Sequence, residues 1–291
     1  MKYHRLIAFL LGAASLCGCS DDFFEQTVTI KLPPHTPVLA VTAQWNAGDT
    51  IVWAYVVNTV GILDKVDPAP VKNASVQLFR DGNFLATLSF DESKEWYSAQ
   101  LAEPLPHAPH QYELRVSAPQ YADVMAQQTM PVTVPILSAT YEKDGALTLE
   151  GDKVDLVTIE WEDPAGVENF YEAILFFYID STEAFELYPY IVDPISENFG
   201  RGLYIRDDSF DGKKFKWRVG MYQYFQGFPD MRVLVRLRSI SPDQYFFVRS
   251  LHLSDNARDN PFAEPVIIHT NMEGGVGVFT LGTVSEFVIE L

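Results

Sequence analysis

The sequence predicts an all-β protein: two tandem immunoglobulin-like or fibronectin-like β-sandwich modules, with one short helix in the C-terminal module. Three observations carry this expectation. Apolar and polar residues alternate with period two through most of the chain after residue 36. Gly, Pro and Asp-Gly pairs punctuate the pattern at short intervals. Strand-like segments do not alternate with helical ones in the rhythm of a parallel sheet. Hydrophobic residues are 47% and aromatics 13% of the 291, ample for packed cores. The formal net charge is −18. There is no basic patch with interleaved aromatics, so nucleic acid and polyanionic glycans are excluded as partners.

Residues 1–18 read as an export leader. Lys2 and Arg5 form a basic head, and Leu6 to Leu16 is apolar or small, too short to span a bilayer as a helix. The leader ends in Leu16-Cys17-Gly18-Cys19, which resembles the bacterial lipobox. That resemblance implies cleavage before Cys19 and acylation of its thiol. Cys17 and Cys19 are the chain's 2 cysteines, so the folded body is expected to hold no free thiol. Disulfides, cysteine-based zinc sites and cysteine nucleophiles are then excluded. Residues 19–36 form an acidic tether. Its Ser20-Asp21-Asp22-Phe23 is similar to the export signal of Bacteroidota lipoproteins displayed on the outer face of the outer membrane; otherwise it reads as a solvated linker.

The N-terminal sandwich is expected over 37–134. It starts with the alternating run from Val38 to Gln44 and the β-branched "TIVWAYVVNTVGIL". "ASVQLFRDGNFLATLSF" reads as a hairpin, because Asp81-Gly82 suits the positive φ angles of a tight turn. In "QYELRVSAP", Tyr112, Leu114 and Val116 share one face. Pro131 and Pro135 then end the pattern. The C-terminal sandwich is expected over 135–291. A second hairpin is predicted about Asp144-Gly145. Val157, Ile159 and Trp161 share a face opposite Thr158, Glu160 and Glu162. "FYEAILFFYI" is apolar on both faces and suits a central strand. In "MRVLVRLRSI", Arg232, Arg236 and Arg238 should face solvent or the abundant acids. "SPDQYFFVRSLHLSDN" reads as the helix, with Ser241 as N-cap, Pro242 at the first position and Gln244 completing a capping box. "EPVIIHTNMEGGVGVFTLGTVSEFVIEL" returns to strands.

In order along the chain, "VTAQW", "VKNASVQLFRDG", "YELRVSAPQYADVMAQQTMP", "WEDP", "SFDGKKF", "LRSISPDQYFFVRSL" and "DNPFAEPVIIHTNMEGGVGVF" resemble the domain-of-unknown-function 4249 family of Bacteroidota outer-membrane lipoproteins. The resemblance implies surface lipoproteins with no assigned reaction, acting as accessories to TonB-dependent transporters. It transfers no catalytic residue and no cofactor.

Candidate sites are few. Asp207, Ser209, Asp211 and Gly212 are spaced like half of a calcium loop, but Arg218 stands where a bidentate glutamate is needed, so a polar loop closing on the Asp211-Gly212 turn is the stronger reading. His107 and His110 lie three apart in a proline-rich loop without an identifiable third metal ligand. His252 falls at helical spacing, as a packed or surface histidine would. Gly274, Gly275 and Gly277 read as turn and bulge positions where backbone must come close. Asp163, Asp193, Asp207, Asp211, Asp255 and Asp259 offer no separation from which to choose an acid–base pair. No catalytic residue, metal or cofactor is therefore expected. Tyr188, Tyr190, Tyr222, Tyr224, Phe225 and Phe228 cluster near turns; Tyr222, Tyr224 and Phe228 are the candidate contacts for a ligand or partner. The function expected is a non-catalytic, lipid-anchored outer-membrane lipoprotein facing outward, serving a TonB-dependent transporter barrel as an accessory or ligand-binding subunit. The alternatives are a hydrolase, carbohydrate-active for instance, and a structural or adhesive surface module.

Overall fold

A computed structural model describes residues 34–61, 64–179, 183–200, 202–222, 231–258 and 262–291. Cys19, Ser20, Asp21, Asp22 and Phe23 lie outside the described residues, as do Asp259, Tyr224, Phe225 and Phe228.

The alternating segments form strands that pair antiparallel, with one exception. The first seven are β1 (Leu39–Asn46), β2 (Ile51–Asn58), β3 (Ser75–Arg80), β4 (Asn83–Asp91), β5 (Trp96–Gln100), β6 (Gln111–Ser117) and β7 (Val124–Thr129). They run in the order β1-β2-β5-β4-β3-β6-β7. Their inward residues, among them Trp45, Tyr97 and Tyr112, meet in one core. Asp81 and Gly82 turn β3 into β4 with φ of 51° and 76°, as their chemistry predicts.

The second set begins with β8 (Ser138–Leu147), β9 (Lys153–Glu162) and β10 (Phe170–Ile179). It continues with β11 (Glu183–Leu187), β12 (Tyr190–Ile191), β13 (Glu197–Asn198), β14 (Leu203–Arg206), β15 (Lys214–Met221) and β16 (Met231–Ile240). Helix α1 (Pro242–Arg258) and β17 (Val276–Glu290) close the chain. One sheet, β12-β15-β9-β8, faces β14, β10 and β16. Between them Trp161 and Trp217 of the first layer pack with Tyr171, Leu175, Val233 and Val235 of the second. The pleat explains this division. Odd-numbered residues of β10 and β16 enter the core, so even-numbered ones, including Glu172, Arg236 and Arg238, lie on the opposite face.

β17 joins the two cores. Its first half pairs with β1 in parallel, from Ala40↔Val276 to Asn46↔Gly282. Its second half pairs antiparallel with β16, from Ile240↔Gly282 to Arg232↔Glu290. Phe279 and Leu281 belong to the first core, and Phe287 and Ile289 pack against the second. The strand fits only because glycines let backbone approach. A Cβ on Gly277 would stand 2.0 Å from the Val41 carbonyl oxygen, and one on Gly274 would stand 2.1 Å from that of Asp123.

Two local expectations are corrected, and a third is narrowed. The β8–β9 reversal is not at Asp144-Gly145. Asp144, with φ of 52°, occupies a bulge where the register shifts between Glu142 and Ala146, and its N–H donates to Asp155 Oδ1 at 2.8 Å. The turn comes at 148–152, held by Thr148 N–H to the Asp152 carbonyl at 2.8 Å, with Gly151 at φ 93°. Both sites need a residue tolerant of positive φ, so Asp-Gly alone does not separate bulge from turn. The capping box also does not form. The Ser241 hydroxyl is buried and makes no hydrogen bond among the described residues, and Gln244 turns its side chain to Arg238 instead. Of the two settings expected for Arg238, solvent or an acid, it takes the acid, and the pair is buried. Its side chain is 8% exposed and pairs with the equally buried Glu172. Tyr204 donates to the other oxygen of Glu172 at 2.5 Å, Arg238 Nη2 donates to Asn46 Oδ1 at 3.0 Å, and the Gln44 amide oxygen, suitably oriented, accepts from Nη2 at 2.8 Å. Helix α1 covers this network, laying Tyr245 on Phe170 with ring centres 5.0 Å apart. Burial and the Glu172 charge push the Tyr204 hydroxyl pKa well above its ordinary value.

Candidate functional site: a tyrosine-lined cleft

At one end of the second sandwich a cleft of about 560 Å³ opens between the 148–152 turn and the β12–β13 region. Tyr188, Tyr190 and Tyr222 line it. β12 brings Tyr190 across from Gly220 of β15. Gly220 leaves room there, since a Cβ would stand 3.1 Å from the Tyr190 Cβ and 3.0 Å from Val154 Cγ2. Tyr222 follows β15 and packs against Ala146, Val154 and Leu156. Its ring meets Tyr190 edge to face, with centroids 4.3 Å apart, a favoured aromatic geometry. Its hydroxyl donates to Asp152 Oδ2 at 3.3 Å. Tyr188 is 61% exposed. Glu150 and Asp152 add two exposed carboxylates, and no Lys or Arg stands among the described lining residues. The structure thus places Tyr222 as a wall of a cleft and adds Tyr188 and Tyr190 beside it.

A second constellation joins Asp163, at the end of β9, to Asp207 and Asp211 after β14. One oxygen of each lies within 4.8 Å of the others, so the three could touch one cation. Each carboxylate is also committed to the loops. Asp163 accepts from Tyr171 OH at 2.5 Å and Gly212 N–H at 2.9 Å. Asp207 accepts from the Asn169 backbone at 2.9 Å, and Asp211 from Gly166 N–H at 2.7 Å. Burial, with the Asp207 and Asp211 charges adding, pushes the Asp163 carboxyl above its ordinary 3.8. These bonds staple 163–169 to 207–213, a tertiary version of the polar loop read from "DDSFDG".

The other candidates are dispersed. His107 meets Thr133 at 3.1 Å, while His110 meets Asp81 at 2.6 Å. His252 meets Asn256 at 2.9 Å on the helix surface. Asp193 accepts from Arg218 N–H at 2.9 Å, and Asp255 pairs with Arg258 at 3.1 Å. A polar cluster that the sequence did not signal centres on Asp243 in the first turn of α1. It meets His269 at 2.6 Å and Asn271 at 3.3 Å, and Gln128 of β7 donates to it as well. Three separate segments supply these residues, so no spacing announces them. Among the described residues no helix is long and apolar enough to cross a membrane.

No curated protein matches the chain. Among solved structures, the collagen adhesin from S. aureus is similar at 8% identity and a TM-score of 0.18, over 87% of this chain and 93% of that one; a likeness that slight carries no argument. The profile of one family, described as "Domain of unknown function (DUF4249)", matches residues 25–287. That span takes in both cores, α1 and most of β17, and the chain belongs to the DUF4249 family.

Proposed function

We propose that the protein is a non-catalytic lipoprotein, held by lipid on Cys19 at the outer face of the outer membrane, where it serves a TonB-dependent transporter barrel as an accessory or ligand-binding subunit. The contact surface in this reading is the tyrosine-lined cleft. The observation that supports it is the convergence of Tyr188, Tyr190 and Tyr222 on one open cleft. Tyrosine gives a large contact area with few rotors and is enriched at interfaces. A tethered body stays near its membrane partner, so a small interface suffices at high effective concentration, anchored by a few aromatic residues.

Cross-linking of intact cells tests the reading. It should trap the protein with a large β-barrel, and Tyr188→Ala/Tyr222→Ala should abolish the adduct while the protein remains folded. Deleting the gene should slow uptake of one nutrient. A hydrolase activity of the purified protein, lost on substitution of one carboxylate, would replace this reading with the enzymatic one.

A further inference from the structure

Arg80 occupies the core-facing register of β3. It follows Val76 and Leu78, both 0% exposed, at period two. Its neighbour on β6 is Tyr112, at the register Arg80↔Tyr112, and Tyr112 belongs to the first core. A charge therefore stands at the end of that core, where the pattern calls for an apolar side chain. Arg80 is half-buried and makes no ion pair among the described residues. Asp81, next in the chain, is committed to His110 at 2.6 Å and to the Gln111 N–H at 3.0 Å. The Tyr112 hydroxyl is buried with no hydrogen bond of normal geometry. Burial raises its pKa, and the neighbouring Arg80 guanidinium lowers it. Beside Arg80 a pocket of about 370 Å³ opens between the β3–β4 hairpin and residues 100–105. Leu85, Ala86, Leu101 and Leu105 give it apolar walls, Arg80 is the one cation among its described lining residues, and Glu103 is an exposed acid on its rim.

We propose that this pocket binds a small monocarboxylate with a short apolar body, its carboxylate on the Arg80 guanidinium and its body against the leucines. The site belongs to the first core, apart from the tyrosine-lined cleft, and does not rest on the transporter reading. A guanidinium is planar and weakly hydrated, and its paired N–H donors match a carboxylate, so it suits a site partly closed to water. A charge withdrawn from water is costly unless it is paired, and the ligand supplies the missing counter-ion. Pockets for small ligands hold about 300–1,000 Å³ and are mostly apolar, with a few polar groups that fix orientation. A dianion such as a phosphate monoester would meet Glu103 and a body of net charge −18, with a single guanidinium to offset it. A neutral ligand would leave Arg80 unpaired.

The probe is 4-methylpentanoate, with 4-methylpentanamide as its uncharged counterpart of the same shape. Each is titrated into the purified full-length protein at neutral pH and followed by saturation-transfer NMR. The acid should bind at least tenfold more tightly than the amide. Arg80→Met should weaken the acid tenfold or more and leave the amide within twofold. Arg115→Met, which deletes a guanidinium from the outward face of the neighbouring β6, should change acid binding less than twofold. Equal binding of acid and amide, a loss no greater in Arg80→Met than in Arg115→Met, or no saturable binding overturns the proposal. The comparison of acid with amide needs no variant, so it decides the matter even where Arg80→Met does not fold. Glu103→Gln should leave the acid bound at least as tightly as before. A tenfold loss there would make Glu103 the anchoring charge, which also overturns the proposal.

Discussion

Gly277→Ala is the sharpest test of how the two cores are joined. Gly277 has φ of 111°, a conformation that side-chain-bearing residues adopt only under strain, about 1–3 kcal/mol. Its added Cβ would stand 2.0 Å from the Val41 oxygen and 2.8 Å from the Val41 carbon and nitrogen. These are backbone atoms, so no rotamer change relieves the overlap. β17 must move about 1 Å from β1 to reach the 3.0 Å that real contacts respect. That displacement disturbs the parallel ladder from Ala40↔Val276 onward, and overpacking of this kind adds about 1–3 kcal/mol. The expected loss is therefore ~2–6 kcal/mol. Gly82→Ala is the control: its φ is 76°, but nothing lies within 4 Å, so only strain of about 1 kcal/mol applies. Urea unfolding followed by tryptophan fluorescence reads both, because Trp45 contacts Phe279 of β17 at 4.9 Å and Trp161 reports on the second core. A Gly277→Ala loss no larger than the Gly82→Ala loss would refute the close approach of β17 to β1.

Other outcomes follow from the buried polar contacts and from the proposed anchor. Arg238→Met should destabilise by about 3–5 kcal/mol because it strands the Glu172 charge, and Arg238→Met/Glu172→Met should recover most of that loss in the same urea titration. Tyr97→Phe should cost ~1–3 kcal/mol, since the Tyr97 hydroxyl donates to the Val71 carbonyl at 2.5 Å and accepts from Ala74 N–H at 2.8 Å. The Asp163 carboxyl is raised above 3.8 by burial, so the native state binds its proton more tightly than the unfolded chain. Its charge opposes folding at neutral pH, and that penalty is relieved as pH falls through the raised pKa toward 3.8. The stability difference between wild type and Asp163→Asn, read by urea midpoints from pH 7 downward, should shift in favour of wild type; an unchanged difference would exclude the raised pKa. If lipid on Cys19 is the anchor, as proposed, Cys19→Ser should leave the protein in the soluble fraction after a carbonate wash. If Asp21 and Asp22 are the surface address of that proposal, Asp21→Ala/Asp22→Ala should keep the protein in the membrane fraction but hide it from protease added to intact cells.

Strand positions were legible because alternation is local: each residue's face follows from its own place in the pleat, as in β9, where Val157, Ile159 and Trp161 turn inward. The Asp81-Gly82 turn and the Pro242 helix start were legible for the same reason, being fixed by one or two backbone angles. The crowding at Gly274 and Gly277 was legible as a need for glycine, but not as contact with Asp123 and Val41. Local chemistry failed wherever a distant partner competed. Gln244 turned to Arg238, since the Ser241 N–H that it would have capped already donates to the Leu281 carbonyl of β17 at 3.0 Å. The cleft followed the same rule. The tyrosines were visible in the sequence, but their convergence required β12 to pair with β15 and the β8–β9 turn to close beside them. By itself the sequence determined composition, charge, the β class, the turns set by single residues and the family to which the chain belongs. Tertiary structure decided that β17 serves both cores, that Arg238 is buried against Glu172, and which aromatics share a cleft. Those outcomes depend on side chains tens to hundreds of positions apart, Arg238 and Asn46 among them at a separation of 192, where neither periodicity nor spacing carries information.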